Sequence, residues 1–173
     1  MQVRNAVPGD VDAVLAFYHD LIERMQDSPY RPTWEKGVYP ARGQLLEAAE
    51  AGTLFLAEEN STVLGAFVLN HQQAAGYAHI SWQVDAPAEK VAVLHLIGVH
   101  PSAHGKGIGT ALLQKAEAVC RERGDAVIRL DTLPHNLPAR RLYERFGFQS
   151  CGEFPLTDPA AGTIPFHLYE YKI

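Results

Sequence analysis

Apolar positions along this chain repeat with two periods, and the switches between them mark its elements. Residues 2–6 read as a short strand, and Pro8-Gly9-Asp10 as a turn with Asp10 placed to cap a helix. Val11, Val14, Leu15, Tyr18, Ile22 and Met25 then share one helical face. Residues 27–40 lose the pattern. They contain Pro29, Pro32 and Pro40 with Tyr30, Trp34 and Tyr39, which reads as a loop with apolar area still to bury. It is either pinned to the core by its rings or lines a substrate site. A helical pattern over residues 42–51 stops at Gly52. Residues 53–59 and 62–71 read as strands joined by Asn60-Ser61, a hairpin signal. Residues 74–83 predict a short helix that places Tyr77, Ile80 and Trp82 near the sheet, ended by Asp85-Ala86-Pro87.

The most ordered pattern begins at Val91. Residues 91–99 are almost wholly apolar and rich in β-branched side chains, which predicts a strand covered on both faces. Pro101 and Ser102 end it, and His104-Gly105-Lys106-Gly107-Ile108-Gly109 follows. Ile108, Ala111, Leu112, Ala116, Val119 and Cys120 then recur at helical spacing, with Arg121 and Arg123 in the last turn and Gly124 as the stop. Residues 126–130 read as another buried strand, with 132–136 as its exit loop. Pro138 stands near the start of a second helix, striped by Ala139, Leu142, Tyr143 and Phe146 and closed by Gly147. The tail reads as two strands, 148–154 and 164–172, around the turn TDPAAG.

A strand, a glycine turn and a helix start form an anion site. The first amides of the helix are unpaired, the helix dipole favours negative charge, and glycines admit a phosphate close to the backbone. The same turn also serves as a plain corner. Spacing excludes two nucleotide motifs: Thr110 stands where G-x-G-x-x-G needs its third glycine, and there is no G-x-x-x-x-G-K-[ST].

Composition bounds the partners. The chain has 173 residues, 47% of them hydrophobic and 20% charged, as expected of one α/β domain over residues 1–173. A net charge of −5 argues against nucleic acid and mildly favours a cationic substrate. Cys120 and Cys151 form no metal or redox motif, consistent with a cytoplasmic location, and no leader or membrane span is expected. His71, His79, His100, His135 and His167 show no metal-ligand spacing, so no metal is expected, and there is no G-x-S-x-G elbow.

The segment LHLIGVHPSAHGKGIGTALL resembles the acetyl-CoA signature of the GNAT superfamily of N-acetyltransferases. That signature is a strand, a loop, then Arg/Gln-x-x-Gly-x-Gly/Ala opening a helix. Gly107 and Gly109 match it, and His104 departs from the usual Arg or Gln. A second family pattern, Asn-x-x-Ala-x-x-Leu-Tyr-x-x-x-Gly-Phe, is matched at Asn136, Ala139, Leu142, Tyr143, Gly147 and Phe148. The two together cover roughly residues 92–148.

The resemblance implies a mixed, mostly antiparallel central sheet flanked by helices, binding acetyl-CoA without a metal. It also implies direct acetyl transfer to a primary amine of a small molecule or peptide in a ternary complex. By the same carry-over Ile97 and Val99 hold the pantetheine arm through main-chain atoms. His104, Gly105, Lys106, Gly107, Ile108, Gly109 and Thr110 surround the pyrophosphate, with the side-chain role of His104 open. The family's Asn, here Asn136, contacts CoA or an ordered water, and its Tyr, here Tyr143, lies near the CoA sulfur.

Acyl transfer requires a base for the amine, a donor for the oxyanion and a proton for the leaving thiolate. His95 is the candidate base, since regular alternation sets it on one face with Val93, Ile97 and Val99 as the only titratable side chain there. The alternative is a core histidine. Tyr143 is the candidate acid, against a core tyrosine, and Asn136 alternatively caps its helix. The Val99 N–H is the candidate oxyanion donor, and Gly98 before it suggests a bulge or a close backbone approach. Two further classes of function stand beside the enzyme: a CoA-binding sensor that performs no transfer, and an interaction domain with a degenerate site. A homodimer through the C-terminal edge strands is a further expectation.

Overall fold

The computed structural model describes residues 1–173 and is built on one seven-stranded sheet. Its strands are β1 (Gln2–Asn5), β2 (Leu54–Glu59), β3 (Thr62–Asn70), β4 (Val91–Val99), β5 (Val127–Thr132), β6 (Gln149–Asp158) and β7 (Gly162–Lys172). Their order is β1-β2-β3-β4-β5-β7-β6, and every neighbouring pair is antiparallel except β4 with β5. Helices α1 (Val11–Met25), α2 (Arg42–Glu50), α3 (Ile108–Arg123) and α4 (Leu137–Phe146) cover it.

The helices split between the two faces as their stripes require. Leu112, Leu113, Ala116, Val119 and Cys120 of α3 and Tyr143 of α4 pack on Phe55, Phe67, Ala92, Leu94, Ile128 and Leu130. On the other face, Val14, Phe17, Tyr18 and Leu21 of α1 meet Leu54, Leu56, Ala66 and Val68. A third cluster on that second face joins Tyr77, Val91, Val93, Val127, Leu133, Leu156, Phe166 and Leu168. The strand at 91–99 is therefore covered on both sides, as its composition predicts.

The hairpin turn is made as expected: Asn60 and Ser61 both take positive φ, 50° and 61°. This is the primed turn whose twist matches the strands. Asn136 caps α4, its side chain accepting from the Ala139 N–H at 3.4 Å. Asp10 does not cap α1. Its Oδ2 closes a 3₁₀ turn at Pro8–Asp10 by accepting from the Val7 N–H at 2.8 Å, and its carboxylate pairs with Arg4. The tail strands run longer than their apolar cores, and only residues 159–161 remain as the turn.

The helix expected over residues 74–83 is only a 3₁₀ turn, Ala75–His79. Long-range side-chain bonds hold this stretch instead. The guanidinium of Arg129 donates to the Gln73 side-chain oxygen (3.0 Å) and to the Val84 carbonyl (2.9 Å), and stacks 4.2 Å from the Trp82 ring centre. Glu170 accepts from the N–H groups of Gln83 and Val84. Tyr77, Ile80 and Trp82 do lie against the sheet.

Candidate active site

The sheet opens in its middle. β4 and β5 pair only at Val91–Val93 against Val127–Arg129, and further along each strand the ladder between them stops. The cause lies in β4. Leu96 has φ 54°, a left-handed conformation, and the β3–β4 register shifts between Ala66 and Val68. A bulge of this kind bends a strand and sharpens its twist, turning β4 away from β5. The Tyr18 hydroxyl fixes it from below by donating to the Leu96 carbonyl at 2.6 Å. Gly98 is the close approach and not the bulge. A Cβ there would stand 3.2 Å from Leu21 and 3.4 Å from Trp34.

A cavity of about 990 Å³ runs through this opening. Residues 94–99 form one wall and 131–133 the other. One end reaches the glycine turn, where Gly105, Gly107, Gly109 and Thr110 line it. Gly105 and Gly107 have φ of 77° and 79°, and no atom lies within 4 Å of where their Cβ would be. Their backbone is thus bare toward the opening at the head of the 16-residue helix α3. Gly109 serves packing: a Cβ there would fall 2.7 Å from Leu142 of α4. This bare cradle, followed by a slot between parted strands, fits a phosphate-headed ligand with a long arm.

Of the residues singled out in the sequence, His95, Ile97, Val99, His104, Gly105, Gly107, Ile108, Gly109, Thr110, Asn136 and Tyr143 all line this one cavity. Lys106 does not; it is exposed in the turn. The bulge corrects the expected face of His95. His95 pairs with Val68 on the α1 side, whereas Ile97 and Val99 pack toward α3. A regular alternation misassigns them because the left-handed residue at 96 resets the period.

His95 holds a defined tautomer. The side-chain oxygen of Asn70 accepts from the Gln72 N–H at 2.9 Å, which fixes the orientation of that amide. His95 Nε2 lies 3.1 Å from the same oxygen and so carries the hydrogen, leaving a lone pair on Nδ1. Burial pushes the His95 pKa down, opposed by a hydrogen bond to the Gln72 backbone, so the ring is neutral at pH 7. Tyr143 is 3% exposed, and its hydroxyl has no hydrogen-bond partner in the protein. Burial first, then the charges of Asp131 and Tyr169, raises its pKa well above the usual phenol value, so it stays protonated. The His100 N–H donates to Leu64 at 2.8 Å toward β3. Successive amides alternate along a strand, so the Val99 N–H points to the opposite edge, into the opening. His104 folds back on the same strand end, its Nε2 3.2 Å from the Val99 carbonyl.

The sequence gives no motif for the other end of the cavity. Tyr30, Thr33, Trp34 and Tyr39 from the loop after α1 line it together with Asp131 of β5 and Asp158 of β6. Asp131 Oδ2 accepts from the Tyr77 hydroxyl at 2.7 Å. Asp158 Oδ2 accepts from the Thr33 hydroxyl at 2.6 Å. The aromatic loop therefore both packs and lines the cavity. No group of three or more His, Cys, Asp or Glu side chains is placed to hold a metal ion, and no helix is long and apolar enough to cross a membrane.

Comparison with known proteins agrees with this architecture. The model of the acetyltransferase (GNAT) family matches residues 19–148. An uncharacterized N-acetyltransferase of Methanocaldococcus jannaschii is 28% identical over 148 residues, 85% of this chain and 60% of that protein. The chain spans 60% or less of the length of the first three curated relatives it matches. A GNAT-family acetyltransferase structure from Streptococcus agalactiae superposes with a TM-score of 0.76 at 18% identity, covering 99% of this chain and 95% of that one. The yncA protein of Salmonella typhimurium, solved with its cofactor acetyl-CoA, superposes at 0.72 with 18% identity, covering 99% and 93%. Because the family model spans most of the chain and the same fold carries both of its motifs into one cavity, this chain belongs to the GNAT family of acetyltransferases.

Proposed function

We propose that the protein transfers an acetyl group from acetyl-CoA directly to a primary amine. The observation that carries this reading is the opening between β4 and β5, which joins the bare glycine cradle to the Tyr143 hydroxyl through one cavity. The amides of residues 105–110 would receive the pyrophosphate, and the unpaired edge of β4 at Ile97 and Val99 would receive the amides of the pantetheine arm. Such an arm completes the missing ladder as an added strand does. Asn136, which caps α4, would border the same arm.

In the reaction the amine nitrogen attacks the thioester carbonyl carbon. The Val99 N–H donates to the oxygen as it gains charge. The carbon–sulfur bond then breaks, and the thiolate takes a proton from Tyr143, which regains one from solvent. The proton lost by the amine goes to Nδ1 of His95, directly or through a water. A neutral His95 and a protonated Tyr143 are the starting states this sequence needs.

Titration calorimetry with acetyl-CoA, CoA, ATP and NAD as separate ligands tests the reading. Acetyl-CoA is expected to bind with micromolar affinity and to lose at least ~10-fold on Gly107→Glu, which puts a carboxylate and a strained φ in the cradle. Absence of any CoA binding overturns it. Tight binding with no turnover on any amine favours the sensor.

A further inference from the structure

The acceptor end of the cavity carries a charge imbalance that the transfer chemistry does not use. Asp131 follows Arg129 on β5, and the β4–β5 register pairs Val93 with Arg129. If the ladder continued, Asp131 would stand beside His95. It sits on the same sheet face, because Ile128 and Leu130 between its neighbours pack toward α3. The strands part there instead, and both side chains line the space between them.

Both aspartates have neutral partners only. Asp131 meets the Tyr77 hydroxyl with one oxygen, and no group of the protein bonds the other. Asp158 is buried and held by the N–H groups of Ala160 and Ala161 (2.8 and 2.7 Å) and by Thr33. No lysine lines the cavity. Its one arginine, Arg145, belongs to the last turn of α4, the helix packed on the glycine turn. Elsewhere the same sheet does match a buried acid with a base, as in Arg129 with Glu170. The Tyr143 hydroxyl, on a side chain 3% exposed, lines the same cavity without a partner in the protein. Trp34 and Tyr39 supply rings on which an ammonium group is stable.

We propose that Asp131 and Asp158 bind a second, protonated amino group of the acceptor, so that the preferred substrates are diamines and longer polyamines. This rests on the reading of the protein as an amine acetyltransferase. Two carboxylates facing a space with no countercharge attract a cation and repel acceptors that carry a carboxylate of their own.

The test compares 1,4-diaminobutane with 4-amino-1-butanol, which has the same length and one ammonium group. Initial rates with acetyl-CoA are expected to give a kcat/KM at least roughly 100-fold higher for the diamine. Asp131→Asn and Asp158→Asn are each expected to erase most of that ratio, chiefly through KM, while the acetyl-CoA affinity stays at the wild-type value. Equal kcat/KM for the two compounds in the wild-type protein overturns the proposal, as does a ratio that survives both substitutions. Calorimetry with 1,4-diaminobutane on the CoA-loaded protein separates this result from the transfer reading. Diamine binding that weakens in both variants supports the site even if no acetyl transfer occurs. Absence of both diamine binding and diamine turnover overturns it.

Discussion

Tyr143, which is buried, and His95, which is half-buried, line the same cavity, and the proposed reaction needs them in opposite protonation states. In the proposed reaction, removing the Tyr143 hydroxyl would take away the thiolate's proton source while leaving the ring that packs on Phe148 and Tyr169. Tyr143→Phe is therefore expected to lower kcat by roughly 100-fold with little change in acetyl-CoA affinity, read from the rate of thiol release. The His95 case is a matter of pH. Burial depresses its pKa in the fold, so the ring is neutral above that value and would lose its proposed role as base as pH falls through it. The acid limb of kcat/KM is expected below pH ~6.5, the ordinary imidazole value. In His95→Gln that limb should vanish and the plateau should fall. A limb that persists assigns the titration to another group.

At the scale of elements, the glycine at 109 joins α3 to α4. A Cβ there meets Leu142 at 2.7 Å, so the two helices approach only over a bare backbone. Gly109→Val is expected to cost about 1–3 kcal/mol of stability by overpacking. Thermal unfolding should show a Tm lower by roughly 2–10 °C. This element was legible in the sequence because a helix stripe and a glycine spacing are local patterns, and so was the Asn60-Ser61 hairpin. The bulge in β4 was not. Leu96 is no residue that favours left-handed φ, and it takes that conformation under the Tyr18 hydroxyl, a contact between α1 and β4. The stretch after β3 failed for a similar reason. Its apolar spacing suits a helix, but Arg129 and Glu170 on β5 and β7 claim its backbone groups one by one. Asp131 and Asp158 escaped notice because a cavity wall built from two strands and a loop leaves no motif in any of them.

For the whole molecule, Arg129 and Glu170 fasten the long connection between β3 and β4 across the sheet. Their side chains are 7% and 2% exposed, 3.8 Å apart. Arg129→Met leaves the carboxylate buried without its countercharge and is expected to cost about 3–5 kcal/mol, read by urea unfolding. Adding Glu170→Gln should recover a large part of that loss. β1 to β4 and β5 to β7 are two half-sheets joined across their shared border by the pairs from Val91–Val127 to Val93–Arg129 alone. In the proposed complex the pantetheine arm would lie along the unpaired edge of β4, in the gap beyond that short border. Amide hydrogen exchange along the far ends of both strands is expected to slow on loading with acetyl-CoA, while the amides of β1 and β2 keep their rates. On the proposed function, the sheet is left half-finished by the chain, and the cosubstrate would complete it at each turnover and leave it open again on departing.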